Sequence, residues 1–186
     1  MLVFSLAFVI QLIYYLGIYI RFAFYKKVPG VTAREPVSVV ICARNEADNL
    51  DNYLPVILTQ DYPEYEVIVV NDCSTDDTDL VLKKYSEQYP RLRTSQIKED
   101  KKFSHGKKLA VTIGIKAARY DRLLFTDGDC RPDSDQWISR MSSGFSDQTA
   151  VVLGYGGYFA QAGLLNKYIR YDTLVIALQY FSYALC

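Results

Sequence analysis

The chain opens on an apolar run. Across residues 1–20 only Ser5 and Gln11 are clearly polar, and no side chain is charged. A helix needs roughly 20 such residues to cross the hydrocarbon core of a bilayer. Tyr14, Tyr15, Tyr19 and Tyr25 gather toward the end of the run, as interfacial aromatics do, and Arg21, Lys26 and Lys27 follow. Residues 1–25 are therefore expected to form a transmembrane helix, with the basic residues and everything after them on the cytoplasmic face of a cell membrane. A cleaved signal peptide would show a basic start, a shorter apolar core and a small-residue cleavage site, which this run lacks. Residues 26–36, with Pro29, Gly30 and Pro36, read as a linker.

Beyond the linker, short apolar runs alternate with segments of helical period. Val37–Ala43 reads as a buried strand. The next helix carries Leu50, Leu54, Ile57 and Leu58 on one face. Asn45 is its expected cap, Asp48 lies near its positive end, and Pro55 is expected to kink or break it. After a turn at Asp61-Tyr62-Pro63, residues 66–70 form a second strand. A second helix follows, capped by Ser74 or Thr75, acidic at its start (Asp76, Asp77, Asp79) and basic at its end (Lys83, Lys84). A weaker strand at Leu92–Ile97, a helix over 107–118, a strand over 122–126, a helix over 134–145 and a strand over 150–153 complete the alternation. Residues 164–186 are helical and rich in apolar positions. They read as a core helix or as an amphipathic helix on the membrane surface, which Lys167 and Arg170 would suit. The pattern predicts an α/β fold, a mostly parallel central sheet flanked by helices, spanning residues 37–160, with 161–186 as a separate helix.

Composition narrows the field. Half of the 186 residues are hydrophobic, enough for a packed core, and 21 basic residues balance 21 acidic ones. With no basic excess, no nucleic-acid partner is expected. Cys42, Cys73, Cys130 and Cys186 match neither a zinc pattern nor a disulfide framework, and Cys42 reads as a core thiol. His105 is the single histidine and reads as an exposed loop residue.

In a parallel sheet, ligands bind beyond the carboxyl ends of the strands. Those ends carry Arg44-Asn45-Glu46, Asn71-Asp72 and Asp127-Gly128-Asp129. Two carboxylates one residue apart, Asp127 and Asp129, can share a hard cation such as Mg²⁺ or Mn²⁺ that also bridges to substrate phosphates. Taken alone, that tripeptide is equally a polar turn. Asp72 is placed to hydrogen-bond a nucleotide's ribose or base. Lys107 and Lys108 sit at a helix start, where lysine is unfavourable unless an anion such as a diphosphate joins it; a solvated basic loop is the other reading. Gly154-Tyr155-Gly156-Gly157 is not a dinucleotide fingerprint, and no P-loop is present.

Together, VSVVICARNEADNL, YEVIVVNDCSTDDT, HGKKLAVTIGI and LLFTDGDC resemble, in order, the donor-site segments of family 2 glycosyltransferases of the GT-A fold, over about residues 37–158. The resemblance implies transfer of a sugar, with inversion, from a nucleoside-diphosphate sugar to a lipid or glycan acceptor, and is nearest the membrane-associated, cellulose-synthase-like branch. It implies that Ala43 and Glu46 line the nucleoside pocket, Asp72 holds the base or ribose, Lys107 meets the diphosphate, Asp127 faces the sugar and diphosphate, and Asp129 binds the metal. Uridine is the base it suggests. The family's Glu-Asp pair and Gln-x-x-Arg-Trp motif are missing. The sequence is therefore expected to be a truncated one, with the general base beyond Cys186. A donor-binding subunit without turnover remains open. A nucleotidyltransferase would usually carry a glycine-rich loop after the first strand, where Ala43-Arg44-Asn45-Glu46 has none.

Overall fold

The computed structural model describes residues 1–25, 35–98, 106–146 and 148–185. His105 and part of the predicted linker lie outside the described residues. In chain order the elements are helix α1 (Leu2–Ala23), strand β1 (Val37–Ala43), helix α2 (Ala47–Leu58), strand β2 (Tyr65–Asp72), helix α3 (Thr78–Gln88), strand β3 (Leu92–Ile97), helix α4 (Lys107–Ala117), strand β4 (Arg122–Asp127), helix α5 (Trp137–Ser142) and helix α6 (Leu164–Ala184). They fall into two compact units, residues 30–152 and residues 1–29 with 153–186.

In the larger unit the sheet order is β3-β2-β1-β4 and every pairing is parallel. The two central strands, β1 and β2, are largely apolar on both faces because helices cover both. Val39, Ile41, Val67 and Val69 point to one face and pack with Leu50, Leu54 and Ile57 of α2 and Leu82 of α3. Ile68 and Val70 point to the other and pack with Ala110 of α4. Helix α4 lies close because Gly114 has no side chain. A Cβ there would run into Val40 Cγ1 and stand 3.4 Å from Val70 Cγ2.

Pro55 leaves α2 unbroken. A proline frees the carbonyl four residues earlier, here that of Asp51, and the Tyr85 hydroxyl of α3 donates to it at 3.0 Å. Neither expected cap forms. Asn45 takes a left-handed backbone (φ 56°) and Glu46 becomes the residue before α2. Helix α3 starts at Thr78, past Ser74 and Thr75. The helix expected over 134–145 shortens to α5, and residues 150–153 form no strand. Val152 packs on Gly144 instead, where a Cβ would meet its Cγ1 at 2.9 Å.

At the amino end of the sheet, a cavity of about 360 Å³ is lined by Glu64, Glu66, Arg91, Arg93, Arg119 and Tyr120, among others. Its charges are already spent internally. Buried Glu66 accepts from Ser38 Oγ (2.7 Å), the Arg119 amide (2.6 Å) and Arg93 (3.0 Å). Burial raises the Glu66 pKa, but these hydrogen bonds and the Arg93 charge outweigh it and hold the carboxyl below its usual range. Arg93 also donates to the Ala117 carbonyl at the end of α4, at 2.8 Å.

In the smaller unit α1 is a continuous helix with a π-helical turn at Tyr15–Tyr19, long and apolar enough to cross a membrane. The far end of α6 packs beside it. Phe181 stacks on Phe22 with ring centres 5.6 Å apart, and Arg21 donates to the Leu185 carbonyl at 3.4 Å. Leu164, Leu165, Tyr168 and Tyr171 of α6 are exposed.

Gly114→Ala is expected to push α4 off the sheet and cost about 1–3 kcal/mol, as overpacking does. Urea unfolding of the variant measures this, and an unchanged midpoint would contradict the packing described.

Candidate functional site

The parallel register decides which side chains meet at the carboxyl edge. Cys42 of β1 lies opposite Val70 of β2 and opposite Asp127 of β4. Asp72 is two residues beyond Val70, so it returns to the same face. Asp72, Cys42 and Asp127 therefore share the face that α4 covers. Two strand spacings and a two-residue stagger put about 12 Å between the Asp72 and Asp127 backbones. Helix α4 starts over this gap, and Lys107 in its first turn reaches Asp127 Oδ1 at 2.7 Å. The switch in strand order lies here too, since β2 and β3 extend from one side of β1 and β4 from the other.

Asp72 is buried, with 5% of its surface exposed, and its Oδ1 has no hydrogen-bond partner among the described residues. A buried carboxylate oxygen left unpaired is costly, and at a sheet edge it is an acceptor waiting for a donor. The neighbouring Asn71 points to the other face and donates to Asp79 Oδ1 at 2.6 Å.

Cys42, read from sequence as a core residue, is half-buried in this edge. Burial pushes its thiol up. The Lys107 charge pulls it down, while Asp127 and Asp72 push it further up. One thiol thus feels all three groups. The Lys107 ammonium is raised above its usual value, first by its hydrogen bond to Asp127, then by the charges of Asp127, Cys42 and Asp129 against the pull of desolvation. It is cationic throughout the physiological range.

Asp129 lies one turn beyond β4 and is exposed; its Oδ1 accepts a weak bond from Cys130 Sγ at 3.5 Å. Gly128 between the two acids is buried. A Cβ there would stand 3.3 Å from Glu46 Cγ and 3.4 Å from Ala43 Cβ. The Asp-Gly-Asp turn thus rests on Ala43 and Glu46, while Glu46 Oε2 accepts from Asn49 at 2.6 Å. No group of three or more His, Cys, Asp or Glu side chains among the described residues could hold a metal by itself. Two carboxylates at a solvent-open turn, one paired with lysine, fit a hard cation that draws its other ligands from substrate phosphates and water.

Of the residues singled out from the sequence, the structure brings Lys107 and Asp127 into contact and sets Ala43, Glu46 and Gly128 against one another. Asp72 stands across the edge from Asp127. Cys42, expected as a core residue, packs against the buried cluster of Ile68, Val70, Ile97 and Ala110, level with Asp127 on the neighbouring strand.

Lys107→Ala is expected to change stability by less than about 1 kcal/mol, because its side chain is 68% exposed and that of Asp127 47%. Thermal unfolding checks this, and a larger loss would make the pair a structural one.

Comparison with known proteins gives the same outline. A family model described as glycosyl transferase family 2 matches residues 38–183. The chain is 33% identical over 139 residues to the glycosyltransferase AglE of Haloferax volcanii, covering 74% of this chain and 44% of that protein. It is 29% identical over 101 residues to the poly-beta-1,6-N-acetyl-D-glucosamine synthase of Staphylococcus epidermidis, covering 54% of this chain and 23% of the relative. The chain thus spans less than half the length of these two curated relatives. The mannosyltransferase PcManGT from Pyrobaculum calidifontis, solved with GDP-Man and Mn²⁺, has the same fold. Its TM-score is 0.61 at 23% identity, over 76% of this chain and 44% of that one.

Proposed function

The chain belongs to glycosyl transferase family 2, and from that membership we propose that the carboxyl edge of its sheet is the donor site of a membrane-bound sugar transferase. The observation that carries the reading is the buried Oδ1 of Asp72, which has no hydrogen-bond partner among the described residues. It stands on the same face as the Lys107–Asp127 pair and about 12 Å away, with two strand spacings between them.

In this reading Asp72 accepts a hydrogen bond from the base or ribose of a nucleoside-diphosphate sugar, beside a pocket lined by Ala43 and Glu46. Lys107 leaves or shares Asp127 to meet the diphosphate, and Asp127 faces the sugar and the diphosphate. Asp129, with Asp127, would hold Mg²⁺ or Mn²⁺, which supplies positive charge to the departing phosphate oxygen. The acceptor hydroxyl oxygen bonds to the anomeric carbon from the opposite side and inverts it. The bond from that carbon to the diphosphate breaks with its electron pair on the phosphate, where Lys107 stabilises the new charge. The hydroxyl proton passes to a base that is not among these residues.

A mannosyltransferase of the same fold was solved with GDP-Man and Mn²⁺, which supports a nucleotide-sugar donor and a divalent cation here. The synthase of Staphylococcus epidermidis supports a glycan acceptor; a lipid acceptor is the alternative. Helix α1 and the basic residues after it support a membrane anchor with the sheet on the cytoplasmic side. UDP is the nucleotide proposed, on the resemblance noted above.

Calorimetry with the full chain tests the assignment. Asp129→Ala is expected to abolish the Mn²⁺-dependent part of UDP binding and leave the fold intact. Asp72→Ala is expected to weaken UDP binding without metal by roughly 5–150-fold, the worth of about 1–3 kcal/mol for a buried charged acceptor. Unchanged binding in both variants would contradict the site.

A further inference from the structure

Helix α2 has no cap of its own. The amides at its start are satisfied by Asp76 of the loop after β2 and by Thr78 at the start of α3, some thirty residues away. The Glu46 amide donates to Thr78 Oγ1 at 3.1 Å, and the Ala47 amide donates to Asp76 Oδ2 at 3.1 Å. Asp76 Oδ1 in turn accepts from the Thr78 amide (3.1 Å) and the Thr78 hydroxyl (2.6 Å). One carboxylate therefore holds the starts of both α2 and α3. Asn45 answers from the other side. Its amide donates to Ser74 Oγ at 2.9 Å, and its side-chain oxygen accepts from the Thr75 amide at 2.8 Å.

Both strand ends enter this clasp through left-handed residues that are not glycine, Asn45 (φ 56°) and Cys73 (φ 55°). Such a backbone is unfavourable for an ordinary residue and persists where surrounding bonds over-determine it. Cys73 directly follows Asp72, and Asn45 directly precedes Glu46. The clasp thus sets the aim of one proposed nucleotide contact from β2 and of another from β1. Through Glu46 it also sets the seat of Gly128, whose Cβ position is 3.3 Å from Glu46 Cγ. Asp76 is the carboxylate in this clasp, and the turn after β4 rests on it through Glu46.

We propose that Asp76 is a positioning residue of the donor site: it touches no donor atom, but by tying the loop after β2 to the start of α2 it holds Asp72, Glu46 and the Asp127-Gly128-Asp129 turn in register. This rests on the donor site proposed above. Its loss leaves the sheet and its core untouched and loosens the edge.

The test uses the full chain in detergent micelles, with amide hydrogen exchange reading the clasp and UDP affinity in the presence of Mn²⁺ reading the site. Asp76→Ala is expected to speed exchange at the Ala47 amide and to weaken UDP binding about tenfold, equivalent to about 1.4 kcal/mol. Asp76→Asn keeps one acceptor oxygen and is expected to fall between it and the wild type; it carries the comparison if Asp76→Ala does not fold. Tyr85→Phe removes a hydrogen bond further along α3 and serves as a control, expected to lower the melting temperature without moving the affinity. Wild-type affinity in the folded Asp76 variants overturns the positioning role. So does an equal affinity loss in Tyr85→Phe at the same loss of melting temperature. A wild-type chain that binds neither UDP nor GDP overturns the donor site itself, and the positioning role with it.

Discussion

Parallel pairing of β2 and β4 on either side of β1 fixes where the chemistry of this chain can be. Because side chains alternate along a strand, the register that sets Cys42 beside Val70 and Asp127 leaves one possible face for Asp72. A slip of one residue in either pairing would send one acid to the α2 and α3 side of the sheet. The apolar residues on both faces hold the register, since a slip would also turn packed valines and isoleucines out of their clusters. Core packing and the placing of the carboxylates are therefore one constraint.

The edge built on that register combines rigid and open parts. Helix α4 is seated by the absence of a side chain at Gly114, which brings Lys107 over Asp127. The loops after β1 and β2 bind each other, and the turn after β4 leans on them. Between them lie the Asp72 Oδ1 acceptor, which has no hydrogen-bond partner among the described residues, and an exposed lysine–aspartate ion pair. The buried Glu66 at the other end of the sheet instead has its oxygens fully engaged.

Much of this was legible in the sequence. Four of the five segments expected as strands became the sheet, most plainly β1 and β2, because runs of valine and isoleucine bounded by turn residues have few other uses. The parts that were not legible all depend on contacts between distant segments. Pro55 was expected to break its helix, and the Tyr85 hydroxyl on another helix takes up the freed carbonyl. Asn45, Ser74 and Thr75 were expected to cap their own helices, and they bind each other's loops instead. Residues 150–153 are extended in pattern but have no ladder partner, and a strand needs one. At the site, the acids and Lys107 stood out by residue type and by family resemblance. Asp76 looked like one more acid in a helix's first turn.

The central claim is that one face of the carboxyl edge gathers a nucleotide diphosphate and its cation. Paramagnetic broadening by Mn²⁺ in the UDP complex of the full chain measures it directly. Loss of amide signals is expected to be strongest at residues 127–130, strong at Lys107 and Asp72, and weakest at Glu64, Glu66 and Tyr120 at the far end. Broadening centred on that far end, or none at 127–130 with UDP bound, would contradict it.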